Sequence, residues 1–159
     1  MRDSTGKVVA LYVLVKMLEP ERDSRRRIVF TNGCFDLLHV GHLHLLESAA
    51  RLGDVLVVGI NRDASVSGLK GAARPILPFE ERARLVAALE TVDWVVGFDE
   101  PTPLELIKAI VPDVLAKGGD WPADEIVGRE IVDRRGGRVV SIPLQHGRST
   151  SHLLRRIRE

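Results

Sequence analysis

Thr31-Asn32-Gly33-Cys34-Phe35-Asp36-Leu37-Leu38-His39-Val40-Gly41-His42 is the stretch from which the rest of the chain can be read. It follows a short β-branched, apolar run, Ile28-Val29-Phe30, and leads into an amphipathic segment ending near Leu52. That order reads as strand, tight turn and helix N-terminus. Asn32-Gly33 is a turn dipeptide whose glycine lets backbone approach a ligand closely. A helix start at this point presents free N–H groups and the positive end of the helix dipole, a seat for phosphate. His39 and His42 are three residues apart, so on a helical turn they share one face, and Gly41 between them adds no side chain. Two imidazoles aimed at one anion can stabilise charge that develops in a transition state. The glycine spacing matches neither a Walker phosphate loop nor the dinucleotide fingerprint.

The chain is 159 residues long, the size of one domain, and 45% of it is hydrophobic, enough for a core. A net charge of +1 gives no global case for binding nucleic acid or an anionic membrane. Arg155, Arg156 and Arg158 make a local basic face that suits the solvated end of a helix. The single cysteine, Cys34, excludes an intrachain disulfide and fits a reducing compartment. The apolar run at residues 8–18 is broken by Lys16 and falls short of the roughly 20 residues that span a bilayer. No signal peptide is expected, and the expected location is the cytoplasm.

Residues 1–27 read as an N-terminal arm. Residues 8–15 suit either a buried strand or the start of a helix, since a continuous apolar run has no decisive period. Glu19-Pro20-Glu21-Arg22-Asp23-Ser24 reads as an exposed link into the first strand. After the central stretch, residues 43–52 continue a helix closed by Gly53, and residues 55–60 form a buried strand. Residues 65–78 look like a loop. Residues 79–90 form a helix with an apolar stripe at Leu85, Val86 and Leu89, followed by a strand at 94–97 and a helix at 103–110. A strand at 114–116, a helix at 125–135, a strand at 138–142 and a helix at 150–157 complete the chain. Alternating strands and helices predict a single α/β domain over residues 28–159, a Rossmann-like, doubly wound parallel sheet. Ligands of such sheets sit beyond the carboxyl ends of the strands, where strand order reverses, which would gather the polar motifs after three strands at one edge.

The remaining motifs each have a plain reading beside a functional one. Lys70, flanked by Gly68 and Gly71, is either a solvated loop lysine or a mobile cation that closes over phosphates. Lys117-Gly118-Gly119-Asp120-Trp121 is either a tight turn or a place where a base or ribose meets backbone closely, with Asp120 accepting from hydroxyls. Ser149-Thr150-Ser151 caps the last helix and could also supply hydroxyl and N–H donors to phosphate. Arg82, in Glu80-Glu81-Arg82, reads by itself as one partner of an i,i+4 surface pair. His39 and His42 could instead be packed or capping histidines, but no further ligands at suitable spacing make them a zinc site. His44 points about 200° away from His42 and reads as structural or exposed. Cys34 has no base placed to activate it as a nucleophile.

His39-Val40-Gly41-His42 resembles the H-x-G-H signature of the cytidylyltransferase-like nucleotidyltransferases. With Thr31 to Asp36, Gly68-Leu69-Lys70-Gly71, Arg74-Pro75, Val92-Asp93-Trp94-Val95, Lys117 to Asp120 and Ser149 to Ser151 in order, the set is most similar to the heptose 1-phosphate adenylyltransferases. The resemblance implies transfer of AMP from ATP to a sugar 1-phosphate, with Mg²⁺ carried mainly by the phosphates and water. It implies catalytic roles for His39, His42, Lys70 and Arg82. It also implies nucleotide contacts from Thr31, Asn32, Gly33, Cys34, Phe35, Asp36, Gly41, Lys117, Gly118, Asp120, Ser149, Thr150 and Ser151. No residue is expected to ligate a metal directly, and a homodimer is left open. The other readings are a cytidylyltransferase acting on glycerol 3-phosphate or a phospho-alcohol, and a nucleotide-binding module without turnover.

Overall fold

The structure is a computed structural model describing residues 3–119, 121–143 and 150–158. Five parallel strands form one sheet: β1 (Ile28–Gly33), β2 (Val55–Asn61), β3 (Trp94–Phe98), β4 (Val114–Gly118) and β5 (Arg138–Ile142), in the order β3-β2-β1-β4-β5. The helices are α1 (Leu11–Asp23), α2 (Val40–Ala50), α3 (Asp63–Lys70), α4 (Phe79–Ala87), α5 (Leu104–Ile110), α6 (Arg129–Asp133) and α7 (Thr150–Arg158). The expected doubly wound sheet is therefore the fold. Every residue of β2 is buried, because helices cover both faces. Leu56, Val58 and Ile60 pack on one side with Leu46 of α2 and Val86 of α4. Val55 and Val57 pack on the other with Leu14 and Leu18 of α1 and Ile107 and Ile110 of α5. Strand order reverses between β1 and β4, so the crevice predicted for ligands lies at the carboxyl ends of those two strands.

Four expectations need correction. The link expected at residues 19–24 is helical as far as Asp23, with Pro20 inside α1. Proline forfeits one backbone bond there, and the burial of Leu14 and Leu18 offsets the loss. Before α1, Val8 bridges Val95 of β3 and Lys7 Nζ donates to Val92 O at 2.7 Å, so the arm packs on the sheet's edge. The loop expected from residue 65 begins as α3, whose Val66 is buried and whose Ser65 hydroxyl joins Asn61 and Glu100. In α4 the buried residues are Phe79, Arg82, Ala83, Val86 and Ala87, whereas Leu85 is 45% exposed. The helix expected at 125–135 is divided by Gly128 at φ 88° into a 3₁₀ turn, Ala123–Glu125, and the short α6. Among the described residues, no helix is long and apolar enough to cross a membrane.

Candidate functional site

The turn between β1 and α2 is tightly wound, with Phe35 at φ 48° and Leu37 at φ 56°. Such left-handed residues are strained unless their surroundings hold them. Phe35 is held by burial, its ring 5.2 Å from that of His42. His39 is not inside the helix, as a shared helical face would need. It is the N-cap of α2, extended at φ −144°, and its Nδ1 accepts from Gly41 N at 3.1 Å. The two imidazoles nonetheless meet, stacked with centroids 3.8 Å apart. Because His39 Nδ1 is an acceptor, the proton of the neutral ring belongs on Nε2. Among the described residues His42 Nδ1 is buried without a partner, which a bare lone pair tolerates better than an N–H, so the proton of the neutral ring fits Nε2. Burial first, then the charge of Lys70, lowers the His39 pKa. Burial, His39 and Lys70 push that of His42 down to about 4. Both shifts favour the neutral imidazoles at pH 7, a form that can donate a hydrogen bond without carrying positive charge.

Several residues expected to touch a nucleotide have their polar groups spent on the turn itself. The Asp36 carboxylate accepts from Ile76 N at 2.9 Å, Leu77 N at 3.1 Å and Arg74 Nε at 2.6 Å. Burial would raise its pKa, but those donors outweigh burial and hold it below the ordinary carboxylate range. Thr150 Oγ1 donates to Asp36 O at 2.6 Å, which fastens the start of α7 to the same turn. Arg82, expected to reach phosphate, is fully buried. It donates to Leu77 O, Cys34 O, Asn61 O and Asp63 Oδ1, which leaves its guanidinium no free edge toward solvent. Thr31 is buried in β1, its hydroxyl without a partner among the described residues. Asp120 and Ser149, and the side chain of Ser151, lie outside the described residues.

At the carboxyl ends of β1 and β4 a cavity of about 550 Å³ opens. Asn32, Gly33 and Cys34 line one side, Lys117, Gly118 and Trp121 another, and Lys70 borders it from α3. The structure therefore brings Asn32, Gly33, Cys34, Lys70, Lys117 and Gly118 to one space. Lys117 Nζ lies 3.5 Å from Asn32 Oδ1 and 6.0 Å from the Trp121 ring centre. Its pKa is lowered by burial. Trp121 is 49% exposed, and its indole N–H is tied to Gly118 O at 3.2 Å, so a broad apolar face is held at the mouth. Asn61, Thr102 and Glu125 also line the cavity and were not singled out from the sequence. Asn61-Arg62-Asp63 ends β2 at the same edge of the sheet, a positional signal that could have found Asn61. Thr102 and Glu125 stand at the starts of expected helices, where nothing in the sequence marks them as cavity residues. Among the described residues no group of three His, Cys, Asp or Glu side chains could hold a metal ion.

Residues 30–155 match the family described as Cytidylyltransferase-like, which is most of the chain and includes the turn, the histidine pair and the cavity. The chain belongs to the cytidylyltransferase-like family. Within it, the chain is 51% identical over 156 residues to the bifunctional protein HldE of Citrifermentans bemidjiense, covering 98% of this chain and 32% of that one. It is 52% identical over 151 residues to the HldE of Methylobacillus flagellatus, covering 95% of this chain and 31% of that one. The chain thus spans about a third of the length of the curated relatives it matches. Among solved structures, the lipopolysaccharide core biosynthesis protein of Thermoplasma volcanium superposes with a TM-score of 0.61 at 28% identity, over 76% of this chain and 97% of that one. Pantoate–β-alanine ligase of Francisella tularensis superposes with a TM-score of 0.59 at 17% identity, over 86% of this chain and 67% of that one, a likeness of fold.

Proposed function

We propose that this member of the cytidylyltransferase-like family transfers AMP from ATP to a heptose 1-phosphate, giving ADP-heptose and pyrophosphate. The observation that carries the reading is the stacked, neutral His39–His42 pair, acted on by the charge of Lys70, which also borders the cavity. An oxygen of the sugar phosphate forms a bond to the α-phosphorus as the bond to the bridging oxygen breaks in line, and pyrophosphate carries away the electron pair. The acceptor is already ionised at neutral pH, so no protein base is required. Alignment and charge stabilisation supply the rate. Nε2–H of each imidazole donates to the phosphate chain, and Lys70 offsets charge on the departing pyrophosphate. The cavity between Lys117 and Lys70 suits the base and ribose of the nucleotide, with Gly118 allowing close approach of backbone and Trp121 offering an apolar face. Mg²⁺ would arrive with the nucleotide's phosphates, since the Asp36 carboxylate is already committed within the protein.

The heptose assignment draws on the ordered motif set and on the likeness to relatives named HldE. The test is pyrophosphate release from ATP, CTP and GTP against heptose 1-phosphate, glycerol 3-phosphate and a phospho-alcohol. The expected result is turnover with ATP and heptose 1-phosphate. A preference for CTP with glycerol 3-phosphate overturns the heptose assignment, and no turnover with any pair leaves a nucleotide-binding module.

A further inference from the structure

Arg82 occupies a core position of α4, where an apolar side chain of similar volume would avoid the cost of burying a charge. What it does with that charge is specific. One guanidinium joins Cys34 O in the turn leading to His39, Asn61 O at the end of β2, and Asp63 Oδ1 at the first residue of α3. The far part of α3 is tied to the same turn by a second route. Ser67 Oγ donates to Arg74 O at 2.6 Å, and Arg74 Nε donates to the Asp36 carboxylate at 2.6 Å. The helix that ends in Lys70 is therefore clamped near both ends to residues 34 and 36, the turn that also sets the histidine pair.

We infer that Arg82 is a positioning residue, which acts through Asp63 and α3 to hold Lys70 in register with His39 and His42. The inference rests on the nucleotidyl-transfer reading above. At 1.5 Å per residue, the eight residues of α3 place Lys70 about 10 Å from Asp63 along the helix axis. A tilt of about 10° at the anchored end would carry the far end by roughly 2 Å, by the same helix dimensions. Displacement of a catalytic group by about 1 Å can cost on the order of 10²-fold in rate. Asp63 is 46% exposed, so Asp63→Asn opens no cavity, and the Lys70→Ala background separates loss of positioning from the cost of leaving the buried guanidinium without its countercharge.

The test is a double-mutant cycle on pyrophosphate release from ATP and heptose 1-phosphate, using Asp63→Asn, Lys70→Ala and the pair, with kcat and KM measured separately. Asp63→Asn is expected to lower kcat about tenfold, a loss the misplacement scale allows, with some fall in melting temperature because the buried Arg82 loses its countercharge, the variant remaining folded at the assay temperature. On the Lys70→Ala background the same change should cost less than about twofold, because the group being positioned is gone. Arg82→Lys keeps the charge but not the four-way geometry and should lower kcat at least as much, with a larger fall in melting temperature because buried carbonyls lose their donor. Wild-type kcat for Asp63→Asn beside an impaired Lys70→Ala overturns the strut alone. An undiminished tenfold loss on the Lys70→Ala background also overturns it. A Lys70→Ala enzyme with full turnover overturns the strut together with the role of Lys70.

Discussion

Because the ring of His42 is packed between His39 and Phe35, burial disfavours its protonated form, and unfavourable interaction of that form with His39 and Lys70 helps to bring the pKa to about 4. In an unfolded chain the same group titrates near 6.5. Between those values the unfolded state holds a proton that the folded state does not. This contribution to stability is fully present above about pH 6.5 and is lost as the pH falls toward 4. The full shift corresponds to at most about 3 kcal/mol, less what partial exposure screens. Urea melts at pH 7 and pH 4.5 should therefore show a smaller acid loss for His42→Asn than for the wild type. An equal loss in both would mean that His42 does not carry this term. In catalysis, His39→Ala and His42→Ala should each lower kcat by about 10²-fold or more, the scale for one lost transition-state donor. His44→Ala should be nearly neutral, and steady-state kinetics of the three variants checks the contrast. That the two imidazoles lie together was legible from their spacing, whereas a role for them was read from the turn before them and the ordered motifs after. The charge state of the pair was not legible, since that depends on Phe35 and Lys70 being folded against it.

The helix α3 shows how an element can be hidden by composition. Ser65, Ser67 and Gly68 are poor helix formers, so local preference points to a loop. The helix forms because Val66 is buried and the serine hydroxyls find partners on Glu100 and Arg74. Lys70 is thus the last residue of a helix, followed by Gly71 at φ 94°, rather than a cation on a slack loop. Its exposed side chain makes no core contact, so Lys70→Ala should leave stability within about 0.5 kcal/mol of the wild type while impairing turnover. Thermal melts beside kinetic assays separate the two. A variant that both melts early and turns over slowly would mark Lys70 as structural. The strands present the opposite case. Ile28-Val29-Phe30 and the run in β2 announced themselves because helices cover both faces of the sheet, leaving no polar alternation to confuse the pattern.

Across the whole molecule, the reversal of strand order between β1 and β4 brings residues 32–34 and 117–118 together across more than eighty residues of chain. Base choice should be made near this crevice, where a site built for one base edge leaves buried groups unpaired against another. ATP is expected to exceed CTP and GTP by at least about tenfold in kcat/KM, a preference that needs only about 1.4 kcal/mol. Competition assays with the three nucleotides measure it, and equal use of all three would mean that no edge is read. The sequence by itself determined the parallel α/β class, the strand–turn–helix at residues 28–42 and the nearness of the histidines, because these follow from periodicity and from spacing within a few residues. Tertiary structure alone decided that the Asp36 carboxylate and Arg82 are spent within the protein, that α3 is a helix, and that Asn61 faces the cavity. Those outcomes depend on which distant carbonyl, carboxylate or N–H group each side chain meets, and partners separated by tens of residues leave no periodic trace in the chain.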